Sequence, residues 1–158
     1  MADVVTLGIR QLADTVRAAM EAGEDMTVII TGWSMAPTLY PHRDKAVISP
    51  IGEGKLKCGD IVMFERADGH AVLHRIIGIK RGAEDERAVF VMNGDAQSWT
   101  EEISGEQIIG KAGYIIRKGR RISCDSPAFR LHYKLWSLTR PFRKSLIAAR
   151  RKMRGKTD

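Results

Sequence analysis

Residues 60–80, DIVMFERADGHAVLHRIIGIK, contain the most regular β pattern in this chain. Two runs rich in valine and isoleucine, residues 60–66 and 70–80, stand on either side of an Asp-Gly pair. β-Branched residues are favoured in strands, and Asp-Gly favours a tight turn between two such runs. This stretch therefore predicts two antiparallel strands joined by a turn.

The same pattern extends outward in both directions. Between residues 26 and 123, short β-branched segments are separated by Gly, Pro, Asp and Asn, which favour turns. Six or seven strands without interleaved helices favour a mainly β fold, built as a coiled antiparallel sheet or barrel. The additional strands are expected at 26–31, 45–49, 87–92, 108–116 and 120–123.

The composition of the 158-residue chain is that of a globular protein, with 44% hydrophobic and 28% charged residues. It excludes wholesale disorder and a fibrous architecture. No apolar run approaches the roughly 18 residues that span a bilayer, and the N-terminus lacks the pattern of an export signal. We therefore expect a cytoplasmic protein. Because of the basic tail described below, we also expect that the protein can bind peripherally to the inner face of the membrane.

The two cysteines, Cys58 and Cys124, belong to no disulfide framework and to no metal-binding motif. They are expected to be packed or partly buried thiols. No metal or organic cofactor is implied by the sequence.

Three segments follow one another along the chain. Residues 1–25 contain an amphipathic N-terminal helix over 2–22, because apolar side chains recur there at three- and four-residue spacings. Residues 26–126 form the β domain. Residues 127–158 form a basic amphipathic helical tail, whose helix begins at a cap supplied by Asp125 or Ser126.

The tail carries the whole positive excess of the protein. It contains 10 Lys or Arg and 1 Asp, whereas residues 1–126 have a net charge of −2. Cations combined with aromatic and leucine side chains over residues 128–158 suit a helix lying on an anionic membrane surface. The alternative is a helix that packs its aromatic side on the β domain and leaves its charges solvated. Nucleic acid is the least favoured partner, because no base-stacking platform accompanies the tail.

Three short stretches of the β domain carry groups suited to catalysis. Ser34 lies in a tight turn after a strand, where backbone N–H groups can stabilise an oxyanion. His74, in mid-strand, can act as a base near neutral pH, and Asp95 at the end of an Asn-Gly-Asp turn can orient a histidine. Each residue also has a purely structural alternative. Ser34 can form local hydrogen bonds, His74 can be a core histidine bonded to a backbone carbonyl, and Asp95 can be present only because Asn-Gly-Asp forms a good turn.

Together these stretches resemble the signal peptidase I superfamily of serine peptidases, which includes the self-cleaving repressors. Their motifs occur in family order over residues 26–123: a GxSMxPTL box at 32–39, a GDIVxF strand at 59–64, an HRIIG strand at 74–78 and a GD turn at 94–95. The DSPxxRL segment at 125–131 and the following Leu-Trp pair are similar to those of compact bacterial members that lack the usual N-terminal membrane anchor.

The resemblance implies a coiled all-β fold and assigns Ser34 as the nucleophile. His74 matches the histidine base of the endoplasmic-reticulum and archaeal branch, where bacterial signal peptidases have lysine, and Asp95 matches the acidic residue of the GD turn. Trp33 and Met35 would flank the site. Gly32 stands where the family usually has a serine that helps form the oxyanion hole, so backbone N–H groups are expected to fill that role.

The function that this resemblance implies is that of a serine-type endopeptidase. It would remove a leader or signal segment from a precursor polypeptide by cutting at small residues, with the precursor as its partner. The alternative is a catalytically weak or inactive relative that binds a peptide or a protein partner through the same groove.

Overall fold

The computed structural model describes residues 9–52, 56–81 and 87–143, together with residues 145, 148 and 149. The fold is mainly β, with 39% of the chain in strands against 25% in helices, and the prediction of its class is confirmed. The described strands form one strongly curled antiparallel half-barrel, which is flanked by an N-terminal and a C-terminal helix. No helix among the described residues combines the length and apolar character needed to cross a bilayer.

The sheet contains eight described strands in the spatial order β1-β2-β7-β3-β4-β5-β6, with β8 paired to β7. Neighbouring strands are antiparallel throughout. Their bounds are β1 Met26–Ile29, β2 Asp44–Ser49, β3 Ile61–Glu65, β4 Ala71–Arg81, β5 Ala88–Asn93, β6 Glu101–Ser104, β7 Ile108–Arg117 and β8 Arg120–Ser123.

Strand β7 holds the two halves of the sheet together. One of its edges pairs with β2, while the other pairs with β3 over its first half and with β8 over its second half. The register shifts between Val47 and Ile48 on β2 and between Met63 and Phe64 on β3. Such irregularities bend a strand and increase its local twist, which helps to curl the sheet.

Both faces of strand β3 are buried, so its side chains divide between two apolar clusters. Ile61 and Met63 join the cluster beneath the N-terminal helix, whereas Val62 and Phe64 join a second cluster with side chains of β4, β5 and β6. Alternate strand residues point to opposite faces, so a continuous apolar run can supply both clusters. This explains why DIVMF shows no polar alternation.

The N-terminal helix, α1, spans Ile9–Glu21 and packs on β7, β4 and β1. Its inner face buries Ala13 and Val16 completely. It ends where Gly23 adopts a φ of 76°, and the Glu24 N–H donates to the Ala19 carbonyl, as in a Schellman cap. The predicted end near Gly23 is therefore confirmed, while the predicted first turns over residues 2–8 lie outside the described residues.

The C-terminal helix, α2, spans Pro127–Ser137 and is followed by a short 3₁₀ turn at Arg140–Phe142. Ser126 supplies the predicted cap, because its hydroxyl accepts a hydrogen bond from the Phe129 N–H at 3.3 Å. The helix ends before the predicted residue 140. Most of the basic stretch beyond residue 143 lies outside the described residues.

The predicted strands all occur, with bounds within two residues of those expected. One strand, β6, was missed. Its sequence, Glu-Glu-Ile-Ser, has a single β-branched residue, so local propensity gives little signal. It forms because β5 offers a pairing edge, with Met92 opposite Glu101 and Phe90 opposite Ile103.

Candidate active site

Ser34 and His74 line the same cavity, although 40 residues separate them in the sequence. The cavity has a volume of about 300 Å³ and opens between strands β1 and β4. Met35 and Met63 contribute to its wall, and Leu12 of helix α1 also lines it. The predicted nucleophile and base thus line one recess, whose wall contains both polar and apolar groups.

The turn that carries Ser34 is fixed by the Asn-Gly-Asp turn of residues 93–95. The Ser34 carbonyl accepts a hydrogen bond from the Ala96 N–H at 2.8 Å. A Cβ atom at Gly94 would lie only 2.7 Å from that carbonyl oxygen, so this close approach requires glycine. The contribution of the GD turn is structural, because it fixes the position of the Ser34 backbone.

The hydroxyl of Ser34 makes no hydrogen bond to any protein group among the described residues, and the same holds for the backbone N–H groups of Ser34 and Met35. Two adjacent N–H groups beside a serine hydroxyl can stabilise an oxyanion. A Cβ atom at Gly32 would have no neighbour within 4 Å. The space beside the turn is therefore open at Gly32.

His74 is 1% exposed and lies between the rings of Phe64 and Trp99. Its Nδ1 atom is 3.0 Å from Oε1 of Glu101. Burial lowers the pKa of His74 below its ordinary value, and the Glu101 carboxylate offsets only part of this effect. The ring is therefore neutral at physiological pH, and with Nδ1 protonated toward Glu101 the lone pair resides on Nε2.

Glu101 is the carboxylate that contacts His74, and it is itself held by Arg66. The guanidinium donates two hydrogen bonds, Nε to Oε2 at 2.8 Å and NH2 to Oε1 at 2.7 Å. Burial alone would raise the pKa of Glu101, but the hydrogen bonds and charges of Arg66 and His74 together outweigh it, and the pKa is lower than usual. Glu101 therefore stays ionised at neutral pH and is fixed in orientation.

Asp95 lies elsewhere, and this corrects the expectation that it orients His74. Its carboxylate receives the Arg75 guanidinium in a bidentate pair, with Nε to Oδ1 at 2.9 Å and NH2 to Oδ2 at 2.7 Å. The Thr38 hydroxyl donates to the same carboxylate. His74 and Arg75 are consecutive strand residues, so their side chains point to opposite faces of β4. Asp95 serves the opposite face from the histidine.

The buried pair of Arg75 and Asp95 connects the site to helix α2. Arg75 also donates to the Gly59 carbonyl at 2.8 Å, and its guanidinium lies 4.6 Å from the centre of the Tyr133 ring. The Trp136 indole N–H donates to the backbone carbonyl of Asp95 at 3.0 Å. Helix α2 therefore braces the turn that holds Ser34.

The two residues expected to flank the site differ in position. Met35 is 1% exposed and lines the cavity. Trp33 is 48% exposed, packs edge-to-face on Tyr40 and does not belong to the cavity wall formed by the described residues. Only Met35 is therefore placed to shape a substrate pocket directly.

Gln97, Arg66 and Glu101 were not identified from the sequence. Gln97 lines the cavity near Ser34, and its amide oxygen is buried without a hydrogen-bond partner among the described residues. Glu101 belongs to the strand that local propensity missed. The only sequence feature that pointed to Glu101 was its position six residues after Asp95, shortly beyond the GD turn.

Two strand edges that face the cavity have unpaired backbone groups. The Ile30 N–H donates to the Asp44 carbonyl, and the Ile30 carbonyl accepts from the His42 N–H, so both groups point toward β2. By the alternation of strand hydrogen bonds, the backbone groups of Ile29 and Thr31 point to the opposite, free edge. No described strand pairs with that edge.

Strand β4 provides the second such edge. Its even-numbered residues bond to β3, as the hydrogen bonds from the Ile76 N–H to Asp60 and from the Arg66 N–H to His70 indicate. Ala71 and Leu73 therefore direct their N–H and C=O groups the other way. The described pairing of β4 with β5 begins only at Arg75, so this short edge is also open. We call the two segments, 29–31 and 71–73, the open edges.

No metal-binding cluster of His, Cys, Asp or Glu occurs among the described residues. Both cysteines are free thiols. Cys124 is buried as expected, and burial raises its pKa to about 12, which makes it a poor nucleophile. Cys58 is exposed, so the prediction of a packed or partly buried thiol is wrong at this position.

Comparisons of the chain with protein-family models, with curated proteins and with solved structures found no match. The function is therefore argued from the residues and the geometry.

Proposed function

We propose that this protein is a serine endopeptidase in which Ser34 is the nucleophile, His74 the general base and Glu101 the carboxylate that orients His74. The observation that carries the proposal is the convergence of Ser34 and His74 on one cavity, with Nδ1 of His74 bound by a fixed carboxylate. A nucleophile, a base and a group that orients the base are the parts that acyl transfer requires.

In the proposed reaction, Nε2 of His74 takes the proton of the Ser34 hydroxyl as Oγ attacks the scissile carbonyl carbon. The N–H groups of Ser34 and Met35 stabilise the negative charge that develops on the carbonyl oxygen. The tetrahedral intermediate then expels the amine, which takes its proton from His74. Water, deprotonated by His74, attacks the acyl-enzyme ester and releases the new carboxyl end while Ser34 recovers its proton.

The open edges support a polypeptide substrate rather than a small ester. An extended peptide placed between residues 29–31 and 71–73 can form main-chain hydrogen bonds with both strands, as in β-augmentation. Apolar side chains around Met35 and Met63 limit the recess to small or apolar substrate groups.

The finer proposal is an endopeptidase of signal peptidase type that removes a leader or signal segment from a precursor. It rests on the resemblance of the GxSMxPTL, GDIVxF, HRIIG and GD motifs and on the order in which they occur. The preference for small residues at the cut belongs to the same proposal. A peptide-binding module without turnover would use the same open edges.

The test is digestion of a peptide library by the purified full-length protein, read by mass spectrometry. We expect the wild type to cleave, Ser34→Ala to lose cleavage, and His74→Ala to lose at least about 100-fold in kcat/KM. Ser98→Ala and His70→Ala, at exposed positions outside the cavity wall, are matched controls that should retain activity.

Cleavage by Ser34→Ala at the wild-type rate would exclude the assigned nucleophile. If the wild type binds library peptides without cutting any of them, the proposal is replaced by the binding module.

A further inference from the structure

The two faces of helix α2 have different environments. Phe129, Tyr133 and Trp136 lie on one face at three- and four-residue spacings. They are partly buried, and Phe129 packs on the core beneath α1 while the other two contact Arg75 and Asp95 as described above. These aromatic side chains therefore pack on the β domain, as one of the two alternatives for the tail predicted. The helix is anchored, and its opposite face is free to serve another purpose.

The opposite face exposes a stripe of large apolar side chains. Leu131 is 56% exposed, Leu135 59%, Leu138 71% and Phe142 66%. At 100° per residue, Leu131, Leu135 and the direction of Leu138 fall within one narrow sector, roughly opposite Tyr133. Single exposed leucines are ordinary on a protein surface, but three in one sector, followed by the exposed Phe142, are a mark of an interaction site. We call these four residues the outer stripe.

The segment that carries the outer stripe is strongly basic in sequence. Lys134 is exposed on the same helix, and residues 127–158 contain 10 Lys or Arg against 1 acidic residue. An exposed apolar sector in a segment of strongly basic composition matches the chemistry of an interfacial helix, whose apolar side enters the acyl boundary while cations of the same segment meet anionic headgroups.

We propose that the outer stripe docks this protein on an anionic lipid surface, with the basic composition of residues 127–158 supplying the charge attraction. A second copy of the chain is a poor occupant, because stacking the stripe on itself would bring two strongly positive tails together. A nucleic acid would satisfy the cations but would leave the four apolar side chains in water. Only an anionic bilayer accepts both features at once.

This docking would bring the cavity to the membrane surface. Helix α2 is fixed to the backbone of Asp95 through Trp136, and the next residue, Ala96, holds the Ser34 carbonyl. No flexible linker separates the helix from the site, so the site would stay near the bilayer. The lipid proposal itself does not depend on peptidase activity.

The experiment is co-sedimentation of the full-length protein with vesicles of phosphatidylcholine alone and of phosphatidylcholine mixed with phosphatidylglycerol. We expect binding to the mixed vesicles that weakens as salt rises, and little binding to the neutral ones. The double variant Leu131→Ser with Leu135→Ser should lower the partition coefficient by about 10-fold or more, because two apolar anchors are lost. Since both positions are exposed, folding should be retained and is checked by thermal melting.

Ile51→Ser is the matched control, since Ile51 is 38% exposed and lies outside the tail. It should bind like the wild type. Absence of wild-type binding to the mixed vesicles, or unchanged binding by the double leucine variant, would overturn the proposal. Sedimentation velocity without lipid covers the remaining case: a wild-type dimer that the double variant abolishes would assign the stripe to a second copy instead.

Discussion

Replacing Glu101 with glutamine removes the negative charge beside the His74 ring while the side chain keeps its shape. The amide can accept from Nδ1–H through its oxygen, or it can present its NH2 group and favour the ring tautomer with the proton on Nε2. That tautomer cannot take the proton of Ser34. Glu101→Gln is therefore a direct test of which carboxylate orients the base.

The magnitude follows from the contact that is lost. A hydrogen bond to a charged partner contributes about 1.5–3 kcal/mol, and each 1.36 kcal/mol is a factor of ten in rate. The 3.0 Å contact between Nδ1 and Oε1 is of this kind once the ring becomes protonated in the transition state. We expect kcat/KM to fall by about 10- to 150-fold.

The pH profile gives a second readout that a purely structural role would not change. His74 must be neutral to accept a proton, so kcat/KM should rise with pH through the pKa of His74, which burial holds below its ordinary value. Glu101 raises that pKa. Glu101→Gln should therefore move the acid limb to still lower pH, while the plateau rate decreases.

The matched control is Asp95→Asn, which removes the charge from the buried pair with Arg75. We expect a loss of about 3–5 kcal/mol in the free energy of unfolding, because an unpaired guanidinium is left buried. Its acid limb should move less than that of Glu101→Gln, since Asp95 lies on the other face of β4. An unchanged acid limb and rate in Glu101→Gln, with both altered in Asp95→Asn, would refute the reasoning.

Three further predictions concern the scaffold of the site. Gly94→Ala should lower peptidase activity and cost about 1–3 kcal/mol of stability, because its Cβ atom would lie 2.7 Å from the Ser34 carbonyl oxygen; Gly52→Ala, which meets nothing within 4 Å, is the control. Asp44 is fully buried, which alone would raise its pKa, but hydrogen bonds from Arg43, Arg117 and the Tyr40 N–H lower it to about 2, so Asp44→Asn should cost about 2 kcal/mol at pH 7 in urea unfolding. Since the depressed pKa stabilises only above the unfolded value, that difference should vanish as the pH falls from about 4 to about 2. A thiol reagent should label Cys58 in the native protein and Cys124 only after unfolding, and rapid native labelling of both would contradict the burial of Cys124.

Most of the sheet could be predicted from the sequence because the information is local. Runs such as DIVMF and HAVLHRIIGIK bury β-branched side chains on both faces, and the turns between them contain the residues that turns require. Strand β6 is different, since Glu-Glu-Ile-Ser becomes a strand only when β5 presents its edge. The strand propensity of these four residues does not depend on whether β5 lies beside them, so it could not predict β6.

The partner of His74 could not be predicted for the same reason. Two carboxylates, Asp95 and Glu101, follow within a few residues of the same turn, and only the pairing of β5 with β6 determines which one meets the ring. Arg66, which holds the Glu101 carboxylate, directly follows strand β3, eight residues before His74 in the sequence. Its role depends on the curl of the sheet rather than on any local pattern.

The open edges have a kinetic consequence if the protein cleaves as proposed. A peptide held between residues 29–31 and 71–73 makes the same main-chain hydrogen bonds before and after cleavage. The product segment that stays between the open edges therefore loses only the contacts at its cut end. Release of that product then becomes slow relative to chemistry for tightly held sequences. Short peptides that match the segment before the cut should act as competitive inhibitors, and their affinity would rank the natural precursors without any turnover being followed.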